Sequence, residues 1–156
     1  MRTQVAQIIT AIASIEIPRQ EWNELIPTLC MVAQGDISGK KHAALTTLGF
    51  ICEDLEPSDI SSEEVRNSII QTLVTNIHTD SVDQESLELS RVAVKALIGC
   101  IPYASKCFLI EGDRDFVMHK ILASCQSPDE DTQEAALSCL REVASQEYDQ
   151  ISPYFP

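Results

Sequence analysis

Three histidines (His42, His78, His119) and six cysteines (Cys30, Cys52, Cys100, Cys107, Cys125, Cys139) could in principle hold a metal or form a nucleophile with its base. That chemistry needs ligands at short, fixed intervals, or a thiol and an imidazole within a recognisable motif. Neither pattern is present. No CxxC pair occurs, the histidines lie far apart, and none has a Cys or Asp at a nucleophile spacing. No glycine loop could cradle a phosphate, and the paired carboxylates reflect only how many acids there are. The reading is of a chain that is not an enzyme and takes no cofactor or metal. Most of the cysteines fall on or beside apolar helical positions, which suits buried free thiols in a reducing compartment.

What remains is the chemistry of surfaces. A net charge of -13 disfavours nucleic acid, whose binding relies on clustered Lys and Arg, and is compatible with a partner carrying basic surface. Many of the acids stand where helices should start, as at Glu63-Glu64, Asp113 to Asp115 and Asp129 to Asp131, facing the positive end of the helix dipole. Most of the charge therefore reads as solvated surface. No apolar run looks long enough to span a membrane, and no signal peptide is evident.

The elements that must carry these surfaces are helices. Between Lys40 and Leu55, apolar residues recur every three or four positions (Ala44, Leu48, Ile51, Leu55), with small residues Ala43, Ala44 and Gly49 permitting close approach of a second helix. Related stretches begin at Gln7, Val92 and Ala135, giving spacings of 36, 49 and 43 residues, the range of helical repeats. A preceding set of helices aligns on Leu25-Ile26, Ile69-Ile70 and Phe116-Val117, at spacings of 44 and 47. The pattern predicts a helix over about 21–33, with Trp22 on its apolar side and a kink at Pro27. Further helices are predicted over 40–55, from Ser61-Ser62-Glu63-Glu64 onward, over 85–104, from Asp113, and from Ser127-Pro128-Asp129-Glu130 to about Tyr148. The fold expected is all-α: a right-handed α-solenoid of about three and a half antiparallel helix pairs, of HEAT or armadillo type. Its expected divisions are 1–17 (the second helix of an incomplete pair), 18–57, 58–106 and 107–156. Because the first helix has no partner before it, the chain reads as the interior of a longer protein.

The order Glu16-Ile17-Pro18, Trp22-Asn23-Glu24-Leu25-Ile26-Pro27, Leu48-Gly49-Phe50-Ile51-Cys52-Glu53-Asp54, Asp113-Arg114-Asp115-Phe116-Val117-Met118 and Tyr148 to Pro156 resembles the amino-terminal part of the importin-beta (karyopherin) family of nuclear import receptors. The resemblance covers essentially the whole chain. It implies a protein-binding role in the cytoplasm, the nucleus and the nuclear pore. The implied partners are phenylalanine-glycine (FG) repeats of nucleoporins and, through part of its surface, Ran in its GTP form. Importin-alpha and cargo would bind only the full-length receptor.

By position, the resemblance also implies a nucleoporin pocket between two neighbouring first helices. One wall would be Ile70, Gln71 and Val74, and the other Asp113, Phe116 and Val117. Gln71, Val74 and Val117 depart from the family by being different or smaller. A shallow apolar slot of this kind would take a phenyl ring, and repetition along a disordered partner would supply the strength. Without the resemblance, the same residues would be ordinary core between repeats. A rival protein-binding role is that of a HEAT scaffold, such as a phosphatase structural subunit.

Overall fold

The computed structural model describes residues 2–155. In chain order the helices are α1 (Arg2–Glu16), α2 (Leu25–Ala33), α3 (Ser38–Asp54), α4 (Glu63–Thr75), α5 (Gln84–Cys100), α6 (Ser105–Leu109), α7 (Glu111–Ser124) and α8 (Glu130–Ile151). Short 3-10 turns lie at Pro57–Asp59, Ile101–Ala104 and Ser152–Tyr154, and no strand occurs among the described residues.

The helices form two layers. α2 packs on α3, α4 on α5 and α7 on α8 as pairs, while α1, α3, α5 and α8 stack in sequence as a spine. The expected α-solenoid of stacked pairs is the fold observed. Small residues set the spine's spacing. A Cβ built on Gly49 would lie 2.9 Å from the Ala96 Cβ, and one on Gly99 would lie 2.7 Å from the Glu53 Cγ. Each pair leaves one apolar face that only its neighbours can cover, so Leu45, Leu48, Ile51, Ile69, Leu73, Leu97, Phe108, Met118 and Ile121 are sealed between layers.

Local chemistry explains the helix boundaries. The Ser62 hydroxyl accepts the Val65 amide at 3.3 Å, the Asp83 carboxylate accepts the Ser86 amide at 2.9 Å, and Asp129 accepts both the amide (2.9 Å) and the hydroxyl (2.6 Å) of Thr132. Each satisfies an amide that the first helical turn leaves free. Hydrogen bonding from Ser86, by its side chain first and then its amide, holds the Asp83 carboxyl below the usual aspartate range, and Thr132, led by its hydroxyl, does the same at Asp129. Acids do occupy the first turns of α4, α5, α7 and α8, but none stands in the first turn of α2 or α3.

The structure corrects three expectations. The second helix starts at Leu25, not near Glu21, so Pro27 falls in its first turn, where the missing amide has no partner to lose and no kink follows. The helix expected to reach Ala104 ends at Cys100. Pro102 enters a 3-10 turn, and α6 follows unforeseen. The run Gln84–Leu109, at 26 residues and mean hydropathy 1.5, is long and apolar enough to span a membrane; it is broken at the Pro102 turn and 56% of its apolar window is buried in the protein, as befits a core helix.

All six cysteines are free thiols, five of them buried and Cys125 partly so. Burial pushes the Cys30, Cys100 and Cys139 thiols up, and the Cys139 Sγ donates to the Val94 carbonyl at 3.4 Å.

Candidate binding site between α4 and α7

The sequence-derived site draws one wall from α4 and the other from α7. On α4, Ile69, Ile70, Leu73 and Val74 are buried. Gln71 lies one residue beyond Ile70 and stays partly exposed. On α7, Val117 and Met118 are buried, Asp113 is partly exposed, and Phe116 is 39% exposed.

The six residues thus separate by chemistry. Ile70, Val74 and Val117 each have 0% exposure, so the aliphatic part of the expected slot is closed to solvent, as core. Gln71, Asp113 and Phe116 remain within reach of solvent. Phe116 is the apolar surface that the site presents.

The 3-10 turn at Ile101–Ala104 packs on α4, and beyond it the Lys106 ammonium of α6 pairs with Glu63 while the Cys107 thiol lies 3.9 Å from the Asn67 amide oxygen. At the other end, the Lys120 Nζ donates to the Ile77 carbonyl at 2.8 Å and lies 6.0 Å from the centre of the Phe116 ring. That cation over the ring adds a modest attraction and fixes one face of Phe116. Next to this carbonyl, burial above all, and then the charges of Lys41 and Lys120, hold the His78 imidazole below its usual range. The seam therefore has a neutral histidine and a bonded lysine at one end.

The start of α7 is anchored from behind. The Arg114 guanidinium donates to the Phe108 carbonyl at 3.2 Å and to the Gln150 side chain at 3.4 Å, and the Tyr154 hydroxyl bonds to Asp115. A break in α8 at Glu147 (φ -127, ψ 30) precedes the segment that supplies Gln150 and Tyr154. Among the described residues, no group of three or more His, Cys, Asp and Glu side chains is arranged to hold a metal ion.

A feature that sequence reasoning missed is an open cavity of about 170 Å3 between α2 and α4, beside Trp22. The apolar period places Trp22 only on the inner side of a helix. The signal available was Pro18, four residues earlier, which ends one helix and leaves room for a shaped link before the next.

Comparison with known proteins shows what this chain is similar to. An importin subunit beta-1 of Arabidopsis thaliana is 29% identical over 154 residues, covering 99% of this chain and 17% of the relative. This relative is an importin-beta. The Saccharomyces cerevisiae importin subunit beta-1 is 28% identical over 150 residues, covering 96% of this chain and 17% of its own. The solved structure of yeast importin-beta (Kap95p) superposes with a TM-score of 0.83 at 27% identity, covering 96% of this chain and 17% of that one. This chain therefore has the helical-repeat fold of importin-beta and spans about one sixth of the length of the relatives it matches. No protein-family model matches it.

Proposed function

We propose that this chain is a segment of a nuclear import receptor that acts by binding proteins, with FG-repeat nucleoporins and Ran-GTP among its partners. The observation that carries this reading is the match to importin-beta, in sequence and in fold, over nearly the whole chain. Kap95p, whose structure this chain matches at a TM-score of 0.82, induces the switch loops of RanGDP to adopt the GTP-bound conformation, which supports a Ran contact here. Importin-alpha or cargo would engage only the longer receptor. The protein would work in the cytoplasm, the nucleus and the pore between them. The repeat divisions would be 1–17, 18–57, 58–106 and 107–156.

For FG repeats, the accessible surface on the α4–α7 seam is Phe116 with Gln71 and Asp113 at its edge. Ile70, Val74 and Val117 would join it only if the helices parted. One contact of this size is weak, and a disordered partner gains affinity by presenting many copies. The test is a titration of isotope-labelled protein with an FG-repeat peptide and separately with Ran-GTP. Amide shifts at Gln71, Asp113 and Phe116 on adding the peptide are expected. An unperturbed spectrum with millimolar FG peptide would sink the nucleoporin reading.

A further inference from the structure

The close helix pairs are α4 with α5 and α7 with α8, so α4 and α7 meet only along a seam. Among the described residues, one hydrogen bond crosses it: the Lys120 Nζ of α7 donates to the Ile77 carbonyl, just past the end of α4, at 2.8 Å. Ile77 follows the Asn76 C-cap, where the last carbonyls of α4 lack helical amides and present the negative end of the helix dipole. A cation placed there satisfies both the acceptor and the field. Among the described residues, no carboxylate pairs with Lys120, and no other donor reaches the Ile77 carbonyl.

The same ammonium lies 6.0 Å from the centre of the Phe116 ring, one helical turn back on α7. Phe116 is the exposed aromatic of the seam, while Val117 beside it is sealed, as are Ile70 and Val74 across the seam. One side chain is thus bonded to the joint between α4 and α7 and set over the ring that a partner would meet. The Ile77 carbonyl carries only a partial charge, so this hold is weaker than an ion pair in the same place would be.

We infer that Lys120 is a positioning residue for partner binding at this seam, a clasp that orients Phe116 and keeps Ile70, Val74 and Val117 closed. While the ammonium is bonded to Ile77, one face of the Phe116 ring is covered and a partner meets only the rest. When the bond breaks, the ring is released and α4 and α7 part over their aliphatic side chains. The clasp therefore sets how much apolar surface the site offers. This deepens the FG-repeat reading and rests on it for the partner alone.

Lys120→Met removes the charge and keeps most of the stem, while Lys120→Arg keeps a cation with its donors. In native-state hydrogen exchange, Lys120→Met should speed exchange at the Ile70, Val74 and Val117 amides, while Leu48 and Leu97 in the spine keep their rates. Lys120→Arg should restore the slow rates. With para-fluorophenylalanine in the chain, the Phe116 resonance should move in Lys120→Met and return in Lys120→Arg. The partner probe is acetyl-Gly-Phe-Gly-Lys-amide. Lys120→Met should bind it at least about threefold more tightly than the unsubstituted chain, because the open site is more often populated. Where Lys120→Met loses helical circular dichroism, Lys120→Gln takes its place in every arm. Unchanged exchange at the seam, or faster exchange in seam and spine alike, would overturn the clasp. Faster seam exchange with equal or weaker peptide binding would overturn its control of the partner. Peptide binding to neither chain, with the seam responding as expected, would sink the FG reading and leave the clasp standing.

Discussion

The Tyr103 hydroxyl donates to the Leu55 carbonyl at 2.6 Å in a buried setting, joining residues 48 apart in sequence. Leu55 follows the last turn of α3, and Tyr103 sits in the 3-10 turn after α5, so the bond ties together the ends of two stacked helices. Burial raises the Tyr103 phenol far above its usual range, which keeps it a donor at any ordinary pH. Tyr103→Phe leaves a buried carbonyl without its partner and should lower stability by about 1–3 kcal/mol, with the helix count unchanged. Urea unfolding followed by circular dichroism measures this, and a loss below about 0.3 kcal/mol would show that water replaces the bond.

A second prediction concerns the contact of Gly49 with Ala96. Gly49→Ala would gain up to about 1 kcal/mol of helix propensity, but the new methyl must sit 2.9 Å from the Ala96 Cβ and 3.0 Å from its Cα. Overpacking costs about 1–3 kcal/mol in such settings, so net destabilisation is expected. The double variant Gly49→Ala, Ala96→Gly should recover part of it. Equal stability of single and double variants would show that the spine relaxes without cost.

At the α4–α7 seam, Val74→Asp and Phe116→Ala should behave differently. Val74 has no exposed surface, so an unpaired carboxylate there should cost several kcal/mol and melt the surrounding helices. Phe116, at 39% exposure, can be shortened with the fold intact, and FG-peptide affinity should fall two- to tenfold. A Val74→Asp chain that keeps its helicity would mean that the seam opens readily in solution.

Much of this was legible in the sequence, for reasons that differ between residues. The period of Ala44, Leu48, Ile51 and Leu55 reported a buried helix face because burial on a stripe is what that period encodes. Asp129 and Ser62 announced their helix starts because capping is local. Whether Ile70 and Val74 face a groove or a neighbour was not legible, because both need aliphatic side chains and only packing separates them. α6 was hidden for the same reason. Pro102 fell inside the helix read over 85–104, yet α5 ends at Cys100, and Lys106 and Cys107 of α6 meet Glu63 and Asn67, some 40 residues away. The cleft beside Trp22 includes the backbone turn at Gln20, held at φ 62, and glutamine carries no signal for a positive φ.

Stability should also fall on mild acidification. His78 has a folded pKa below its usual value near 6.5, so the unfolded chain binds the extra proton first as pH drops. Its contribution is present above about pH 6.5 and is lost as pH falls through the lower folded value. Asp83 lies beside it and opposes the shift, while Lys41 and Lys120 reinforce it. His78→Gln should flatten the pH dependence of unfolding between about pH 7 and 5. An unchanged slope would place the proton uptake elsewhere.

The face of α1 offers a further test. Val5, Ile8, Ile12 and Ile15 are between 43% and 61% exposed along one helix that carries no charge from Thr3 to Ile15. Contiguous apolar surface of this kind drives association. This chain should sediment as a mixture at high concentration, and Ile8→Asp with Ile12→Asp should render it monomeric. A clean monomer before substitution would refute this.

The close approach of Gly49 to Ala96 has a mechanical meaning. Where helices meet almost backbone to backbone, no long side chain can rearrange to absorb load, so the α3–α5 joint is stiff. The α4–α7 side is held by α6, by the Lys120 bond to Ile77 and by few other contacts. A stack flexed about its spine should therefore yield first between α4 and α7. The compliance of the whole element is concentrated over Ile70, Val74 and Val117, and bending, rather than any change of sequence, would bring them to the surface.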